Sequence, residues 1–472
     1  MASYHVEHFG CRAARADGEA VSEALRKAGL REMPPVDADL VVVNTCSVTA
    51  EADRAARAFI RRAYRRNPAA RIVVTGCYAQ RAPEELAAMD GVAAVVGNSH
   101  KGLAPEILMS LVAGPVAAQS SPQLVSVATL LSPNSVSGHT PIWADDRFAH
   151  SFLEEAQLTP GSQTRPNLKI QEGCGNRCTF CVIPQTRGNS RSLDSAVVLK
   201  QVEGFVSAGG NELVLSGINL GRWGRGPADG SHSSLAGLVR KIFSETALAR
   251  LRLSSIEPMD WNAELIAVLA DFGGPTTITP RLARHVHLPL QSGSDGVLRR
   301  MHRRYRPWHY AEKVAALLRA AGPGLTLGAD VMVGFPGETD AEFEETVDFI
   351  RSLPFGYLHL FPFSPRPGTP AWAMHAAHPV PTPVVEERMA TLRALSSEKS
   401  KTHRRCFVGR ELEAVTLHSS AELVARGRTA ALTENFLPVE LDGKFVANQL
   451  VRVQITGLTT DGDLQALAVI TQ

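Results

Sequence analysis

Residues 168–181 read LKIQEGCGNRCTFC and place Cys174, Cys178 and Cys181 in a C-x3-C-x2-C run. Leu168–Glu172 has the composition of a strand, and the Gly/Asn-rich residues after it form a loop able to wrap one object. Thiolates at such spacing ligate zinc or an iron–sulfur cluster. A structural zinc site wants four ligands, commonly as two separated pairs, and no fourth ligand lies nearby. Three thiolates suit a 4Fe-4S cluster instead, with one iron left open. Three idle core cysteines are the third reading, and such a tight run speaks against it.

Outward from this loop the chain alternates strand and helix patterns. Strands are expected at Leu168–Glu172, Glu212–Ser216, Arg252–Ile256, His285–Leu290, Thr326–Val333 and Tyr357–Pro362, with helices such as His309–Ala321 and Ala341–Leu353 between them. Six successive β/α units suggest a partial, barrel-like parallel sheet with ligands at the C-terminal strand ends. Upstream, Leu40–Thr45, Arg71–Gly76 and Val92–Gly97 are short β-rich runs, and Glu51–Arg66 reads as a helix, so the N-terminal region is Rossmann-like α/β. Downstream, a connecting helix covers Val384–Arg405. Short strands at Leu412–Leu417, Leu423–Arg428, Leu437–Leu441, Leu450–Ile455 and Leu464–Ile470 make a small all-β domain. The expected domains are 1–114, 166–400 and 404–472. A linker or insertion at 115–165, rich in Ser, Pro, Thr and Gln, carries one helix around Phe148–Ala156.

A second cysteine set lies in the N-terminal region. Cys46 and Cys77 each end an expected strand, and Cys11 follows Phe9-Gly10. Equivalent ends of parallel strands share one sheet edge, so the three thiols can converge there. A lone cysteine at a strand end reads as a small core residue, but three at matched places read as a second cluster site. Cys406 matches neither pattern and reads as structural.

Composition limits the remaining classes. With 472 residues, 44% hydrophobic and 20% charged, the chain is globular and has room for two or three domains. The net charge of +2 argues neither for nor against nucleic acid. No apolar run approaches the ~18 residues of a membrane span, and Met1–Gly10 lacks a signal core. Seven cysteines, an odd number in a long chain, do not read as a disulfide framework. A reducing cytoplasm is the expected compartment.

These features resemble the methylthiotransferases, a radical S-adenosylmethionine (SAM) family with two clusters. The likeness covers nearly the whole chain, the last domain being TRAM-like; only the 115–165 segment has no counterpart. Val43–Ala52 (VNTCSVTAEA) with Asp53 and Arg61-Arg62, Lys169–Cys174 (KIQEGC), and Ile183–Arg187 (IPQTR) with Gly188 and Arg191-Ser192 resemble the MtaB-like branch, which acts on threonylcarbamoyladenosine in tRNA. The Arg-Glu-Asn stretch usual in the isopentenyladenosine sibling is absent; a third sibling modifies a ribosomal-protein aspartate.

The resemblance implies two 4Fe-4S clusters and SAM as cofactors. The cluster at Cys174, Cys178 and Cys181 would reduce SAM to methionine and a 5′-deoxyadenosyl radical that takes hydrogen from adenine C2 at position 37. The cluster at Cys11, Cys46 and Cys77 would carry or deliver the sulfur, which a second SAM methylates. Partners would be the tRNA anticodon loop, an external electron donor and a sulfur source. SAM contacts would come from Phe180, Gly217 and Asn219, Glu257, Gln291 and Val333. Plain turns account equally for the glycines, an ion pair for Glu257, and an N-capping turn for the Gly328–Thr339 segment's acidic end. Two arginine runs, Arg54/Arg57/Arg61/Arg65 with Arg62 and Arg66, and Arg299–Arg306, would meet RNA phosphates or form solvated faces. Residues 401–472 carry eight Lys/Arg against eight Asp/Glu, so that domain would read loop shape rather than track a duplex. The non-enzyme alternative is an iron–sulfur RNA-binding or electron-transfer protein, which would release no 5′-deoxyadenosine from SAM.

Overall fold

The structure is a computed structural model describing residues 2–47, 49–113, 140–148, 164–225, 234–459 and 462–469. Its contacts divide the chain into two units. The first is Met1–Gln157 with Gln171–Asn176 and Cys181–Leu193; the second is Leu158–Ile170 with Arg177–Phe180 and Asp194–Gln472.

In the first unit, β1 (Ser3–His8), β2 (Arg31–Glu32), β3 (Leu40–Thr45), β4 (Arg71–Gly76), β5 (Val92–Gly97) and β6 (Ile142–Trp143) form one parallel sheet in the order β2-β1-β3-β4-β5-β6. The apolar run of β3 exists because both sheet faces are covered. Val41 and Val43 pack with Ala56, Phe59 and Ile60 of the helix Ala50–Arg66, while Leu40 and Val42 join Val21 and Leu25 of the helix Arg12–Lys27. Thr49 starts the first of these helices, its hydroxyl accepting from Ala52 N at 3.3 Å. The order of the first five strands is that of flavodoxin-like sheets, whose ligands sit where strand order reverses, between β1 and β3. Three strands of this sheet were not foreseen, the two-residue β2 among them. β1 is only six residues long, and its polar His5, Glu7 and His8 mask it in the sequence. β6 falls inside the segment expected to be linker and pairs with β5 through Val95↔Ile142. The helix expected around Phe148–Ala156 lies, after Phe148, outside the described residues.

In the second unit, β7 (Asn167–Glu172) neighbours β9 (Glu212–Gly217), which neighbours β10 (Arg250–Leu253). The last two residues of β7 belong to the first unit and pair with β8 (Arg191–Ser192) there. β11 (His285–His287), β12 (Thr326–Val333) and β13 (Phe355–Pro362) form a second parallel sheet. Backbone bonds join the two: Leu251 N to Arg281 O at 2.7 Å and Ile256 N to His287 O at 3.2 Å. β11 ends three residues before the expected Leu290. Pro289 has no N–H, and Gln291 turns to φ +66°, so that Leu290 N and Gln291 N both reach Asp330 O.

The helix Thr382–Arg405 leads to a closed five-stranded barrel of β14 (Glu411–Thr416), β15 (Arg428–Thr433), β16 (Pro438–Asp442), β17 (Leu450–Leu458) and β18 (Leu464–Ala468), ordered β14-β15-β16-β18-β17. One expected strand here is wrong. Residues 421–425 are helical, because Ser420 caps them by accepting from Leu423 N, and Gly427 at φ +73° ends the turn before β15. Buried charges bind barrel to sheet. Glu212 accepts from Arg252 Nε at 3.1 Å, Arg252 Nη2 reaches Thr433 O at 3.2 Å, and Arg250 pairs with Glu413. Burial pushes the Glu212 carboxyl up, but the guanidiniums of Arg252, Arg250 and Arg165 more than offset it and hold the group below its usual range. Among the described residues no helix is long and apolar enough to cross a membrane.

Candidate active site: two cysteine triads

In the first unit, the chain leaves β1 through Gly10, whose φ is +116°. A Cβ there would sit 2.2 Å from Cys46 Cβ, so only glycine brings Cys11 this close to Cys46. Cys11 is the N-cap residue of the helix Arg12–Lys27. Its thiol is lowered to about 5, first by a hydrogen bond with Cys46, against a raising effect of burial, and then by Arg187 and the Ala13 and Ala14 amides. Cys46 follows β3 and is buried. Cys77 follows β4 through Gly76, where a side chain would collide with Thr45 O at 2.3 Å. The Cys77 sulfur accepts from Arg187 Nε and from Asn98 Nδ2, both at 3.3 Å.

Arg187 is fully buried. Its Nη1 donates to Asp17 at 3.1 Å and to both Glu172 oxygens at 2.8 and 3.0 Å; Lys101 Nζ donates to the same Asp17 and Glu172 at 2.6 and 3.2 Å. Burial works against the Arg187 charge, but Cys77, Glu172, Asp17 and Cys11 hold it charged well above its ordinary range. Arg187 Nη2 is buried and has no hydrogen-bond partner among the described residues. A buried cation with an unused donor beside three gathered thiols fits an anionic iron–sulfur cluster, whose sulfides accept such bonds.

The C-x3-C-x2-C loop follows β7. In the first unit, Cys174 N donates to Gly188 O at 3.0 Å, and Cys174 Sγ accepts from Asn176 N at 3.4 Å. In the second, the Arg177–Phe180 segment is strapped down. Thr179 N reaches Met301 O at 3.1 Å, Thr179 Oγ1 reaches Arg300 O at 2.9 Å, and Ala371 N reaches Thr179 O at 2.9 Å. Cys178 Sγ accepts from Arg303 Nη1 at 3.2 Å. Arg303 is buried, ion-paired with Glu257, and bonded through Nε to Tyr305 Oη at 3.2 Å. Tyr305 in turn donates to Pro289 O and Leu290 O. A guanidinium held against the sulfur suits a thiolate ligand, and the Cys178 side chain is half-buried.

The expected SAM contacts fall at strand ends of the second unit. Gly217 ends β9, and Asn219 follows at φ +56°. Gln291 keeps its left-handed backbone through bonds on both sides, to Asp330 O and from Met332 N, and its buried Oε1 has no partner among the described residues. Val333 is buried at the end of β12, its carbonyl taken by Phe363 N at 2.7 Å. Phe180 is half-buried in its loop. Glu257 has the ion pair that its bland reading required.

The Arg299–Arg306 run is not a free cationic face. Arg299 and Arg306 pair with Asp295, Arg300 with Glu342 and Arg304 with Asp260, while Arg303 turns inward. On the helix Ala50–Arg66, Arg54, Arg61, Arg65 and Arg66 are exposed, whereas Arg57 bonds Tyr78 and Glu85. Sequence reasoning missed Asp17, Asn98 and Lys101, and met Arg187 only inside the IPQTR motif.

Two family models match the chain: "Uncharacterized protein family UPF0004" over residues 3–97 and "Radical SAM superfamily" over residues 168–350. The threonylcarbamoyladenosine tRNA methylthiotransferase MtaB of Bacillus subtilis is 34% identical over 458 residues, 96% of this chain and 94% of that protein. The tRNA-2-methylthio-N(6)-dimethylallyladenosine synthase of Erythrobacter litoralis is 33% identical over 460 residues, again 96% and 94%. Among solved structures, the radical SAM methyltransferase TsrM of Kitasatospora setae superposes with a TM-score of 0.51 at 16% identity, over 78% of this chain and 74% of that one, a likeness of fold. The chain therefore belongs to the methylthiotransferase family of radical SAM proteins.

Proposed function

We propose that the protein converts N6-threonylcarbamoyladenosine at position 37 of tRNA to its 2-methylthio derivative. The observation that carries this reading is end-to-end similarity to relatives of that name, joined to two separate cysteine triads in one chain. The aryl C–H bond at adenine C2 is too strong for acid–base chemistry near neutral pH. Clusters held by Cys174, Cys178, Cys181 and by Cys11, Cys46, Cys77 would supply, together with SAM, one-electron chemistry and transferable sulfur. The chain's own residues do the rest. Arg303, fixed by Glu257 and Tyr305, orients Cys178. Arg187 and Asn98 orient Cys77. Gln291 and Asn219 present polar groups at strand ends. The exposed arginines of the helix Ala50–Arg66 suit phosphate contact.

Relatives named for dimethylallyladenosine match at nearly the same identity, so isopentenyladenosine is the second reading. Nucleosides of tRNA from a deletion strain decide between them by mass spectrometry. The expected result is loss of 2-methylthio-threonylcarbamoyladenosine, restored by this chain. Restoration of the isopentenyl product alone overturns the proposal. An electron donor and a sulfur source belong to the same reading.

A further inference from the structure

Three parallel strands of the second unit place a polar cluster on one sheet face. His287 lies opposite Gly328, Gly328 opposite Tyr357, and Asp330 opposite His359. The intervening Val286, Leu327, Ala329 and Val331 are all buried, in at most 1% contact with solvent, as residues covered by β/α helices must be. His287 Nε2 is 3.1 Å from Asp330 Oδ2, and His359 Nδ1 is 3.3 Å from Asp330 Oδ1. Tyr357 Oη is 3.0 Å from His287 Nδ1 and 2.7 Å from His285 Nε2. Gly328 makes room for this: a Cβ there would lie 2.0 Å from the Tyr357 ring. Phe436, reaching in from the turn between β15 and β16, stacks on His285 at 4.3 Å and closes one end of the cluster.

The other end is open. The His359 side chain is 61% exposed and that of Asp330 27%. Asp330 is also wired to the cysteine loop: its carbonyl accepts from Leu290 N at 3.1 Å and Gln291 N at 2.8 Å, and Leu290 O accepts from the Tyr305 hydroxyl that braces Arg303 against Cys178. Asp330 and His359 lie three residues inside the ends of β12 and β13, and that backbone path joins them to the Cys178 anchor.

We propose that His287, Asp330 and His359, backed by Tyr357, form the subsite for the N6 substituent of the substrate adenine and select a polar, hydrogen-bond-donating substituent over an apolar one. The Asp330 carboxylate accepts from both imidazoles, which fixes Nδ1–H on His359 and leaves its Nε2 edge for the ligand. Burial pushes the Asp330 carboxyl up, but the hydrogen bonds and charges of His287 and His359 hold it far below the usual carboxylate range, so it stays ionised. His359 Nε2, turned outward by that bond, accepts from a hydroxyl or N–H of the substituent. A hydrocarbon substituent would desolvate these groups without replacing their water, and sites built on hydrogen bonds reject such analogues strongly. This assignment rests on the tRNA reading above and names how that site chooses its substrate.

The test uses reconstituted full-length protein and anticodon stem-loops carrying threonylcarbamoyladenosine or isopentenyladenosine. For wild type and for His359→Phe, Kd and kcat/KM are measured on both RNAs; iron and sulfide content checks that each protein carries its clusters. The preference for the threonylcarbamoyl RNA should fall by about 10- to 100-fold in His359→Phe, mainly through weaker binding of that RNA. His359→Gln, which keeps a polar edge, should fall between. An unchanged preference in both variants overturns the subsite and leaves the function intact. Wild type that ignores the threonylcarbamoyl RNA overturns both. A stoichiometric metal beyond that matched by sulfide, lost in His359→Gln, would make the cluster a cation site and overturn it too.

Discussion

Replacing Arg187 by leucine removes one positive charge from a group of two cations and two anions. Arg187, Lys101, Asp17 and Glu172 are each at most 4% exposed, so solvent does not screen them. Breaking a buried pair by removing one partner destabilises by about 3–5 kcal/mol, because the remaining charge stays desolvated. The double variant Arg187→Leu/Glu172→Leu removes one charge of each sign and should recover most of that loss, to within about 1–2 kcal/mol of wild type. Both proteins lose the Arg187 bond to Cys77, so the difference between them isolates charge balance from the N–H to sulfur contact. Global unfolding of a two-unit cluster protein is not two-state, and local opening is the better measure. Amide hydrogen exchange of β1, β3 and β4 should quicken by about two to nearly four powers of ten in the single variant, at 1.4 kcal/mol per tenfold. Exchange in Arg187→Leu within threefold of wild type would refute the reasoning. So would a double variant as fast as the single one.

Three further outcomes follow from the same structure. Cys178→Ala should bring 5′-deoxyadenosine release from SAM to background. Cys46→Ala should bring RNA methylthiolation to background while SAM cleavage stays measurable; full product from the Cys46 variant would break the division of labour between the triads. His403 is lowered to about 4, chiefly by burial and secondarily by Arg404. It is therefore neutral in the folded unit, while the unfolded chain binds its proton near pH 6.5. Stability falls as pH drops through 6.5 toward 4, by about 1.4 kcal/mol per unit and about 3 kcal/mol in all. His403→Gln should flatten the drop in melting temperature between pH 7 and pH 5, and an equally steep drop in that variant would rule out this residue as its source.

The parts of the fold that were legible are those where covered faces force apolar runs. Leu40–Thr45, Arg71–Gly76, Val92–Gly97 and Thr326–Val333 are strands within the bounds their composition suggests. β1 was not legible, because His5, Glu7 and His8 sit among its core residues. The strand expected at Leu423–Arg428 misled: Leu423 and Val424 suit a strand, but they belong to AELVA, mostly helix formers, which Ser420 caps into a helix. The cysteines were legible as candidate ligands from spacing and strand ends alone. Their surroundings were not, since a buried charge looks like a surface charge until its partner is known. Asp17 and Arg187 meet across 170 residues, Arg303 and Cys178 across 125. No periodicity carries that information.

What those long-range contacts reveal is a device used twice. In the first unit a guanidinium clamped by Glu172 donates to Cys77; in the second, one clamped by Glu257 donates to Cys178. In each case the carboxylate fixes the arginine's orientation, and the arginine places positive charge and an N–H against sulfur. A thiolate so treated is a weaker base, and an iron cluster it holds is easier to reduce. A lysine in the same place would keep the charge but lose the planar fork that lets one side chain serve carboxylate and sulfur together. If the triads hold clusters as proposed, each would depend on an arginine–glutamate pair as well as on its three cysteines. On the proposed reading the ligands would say what is bound, and the pair would tune how firmly and at what potential.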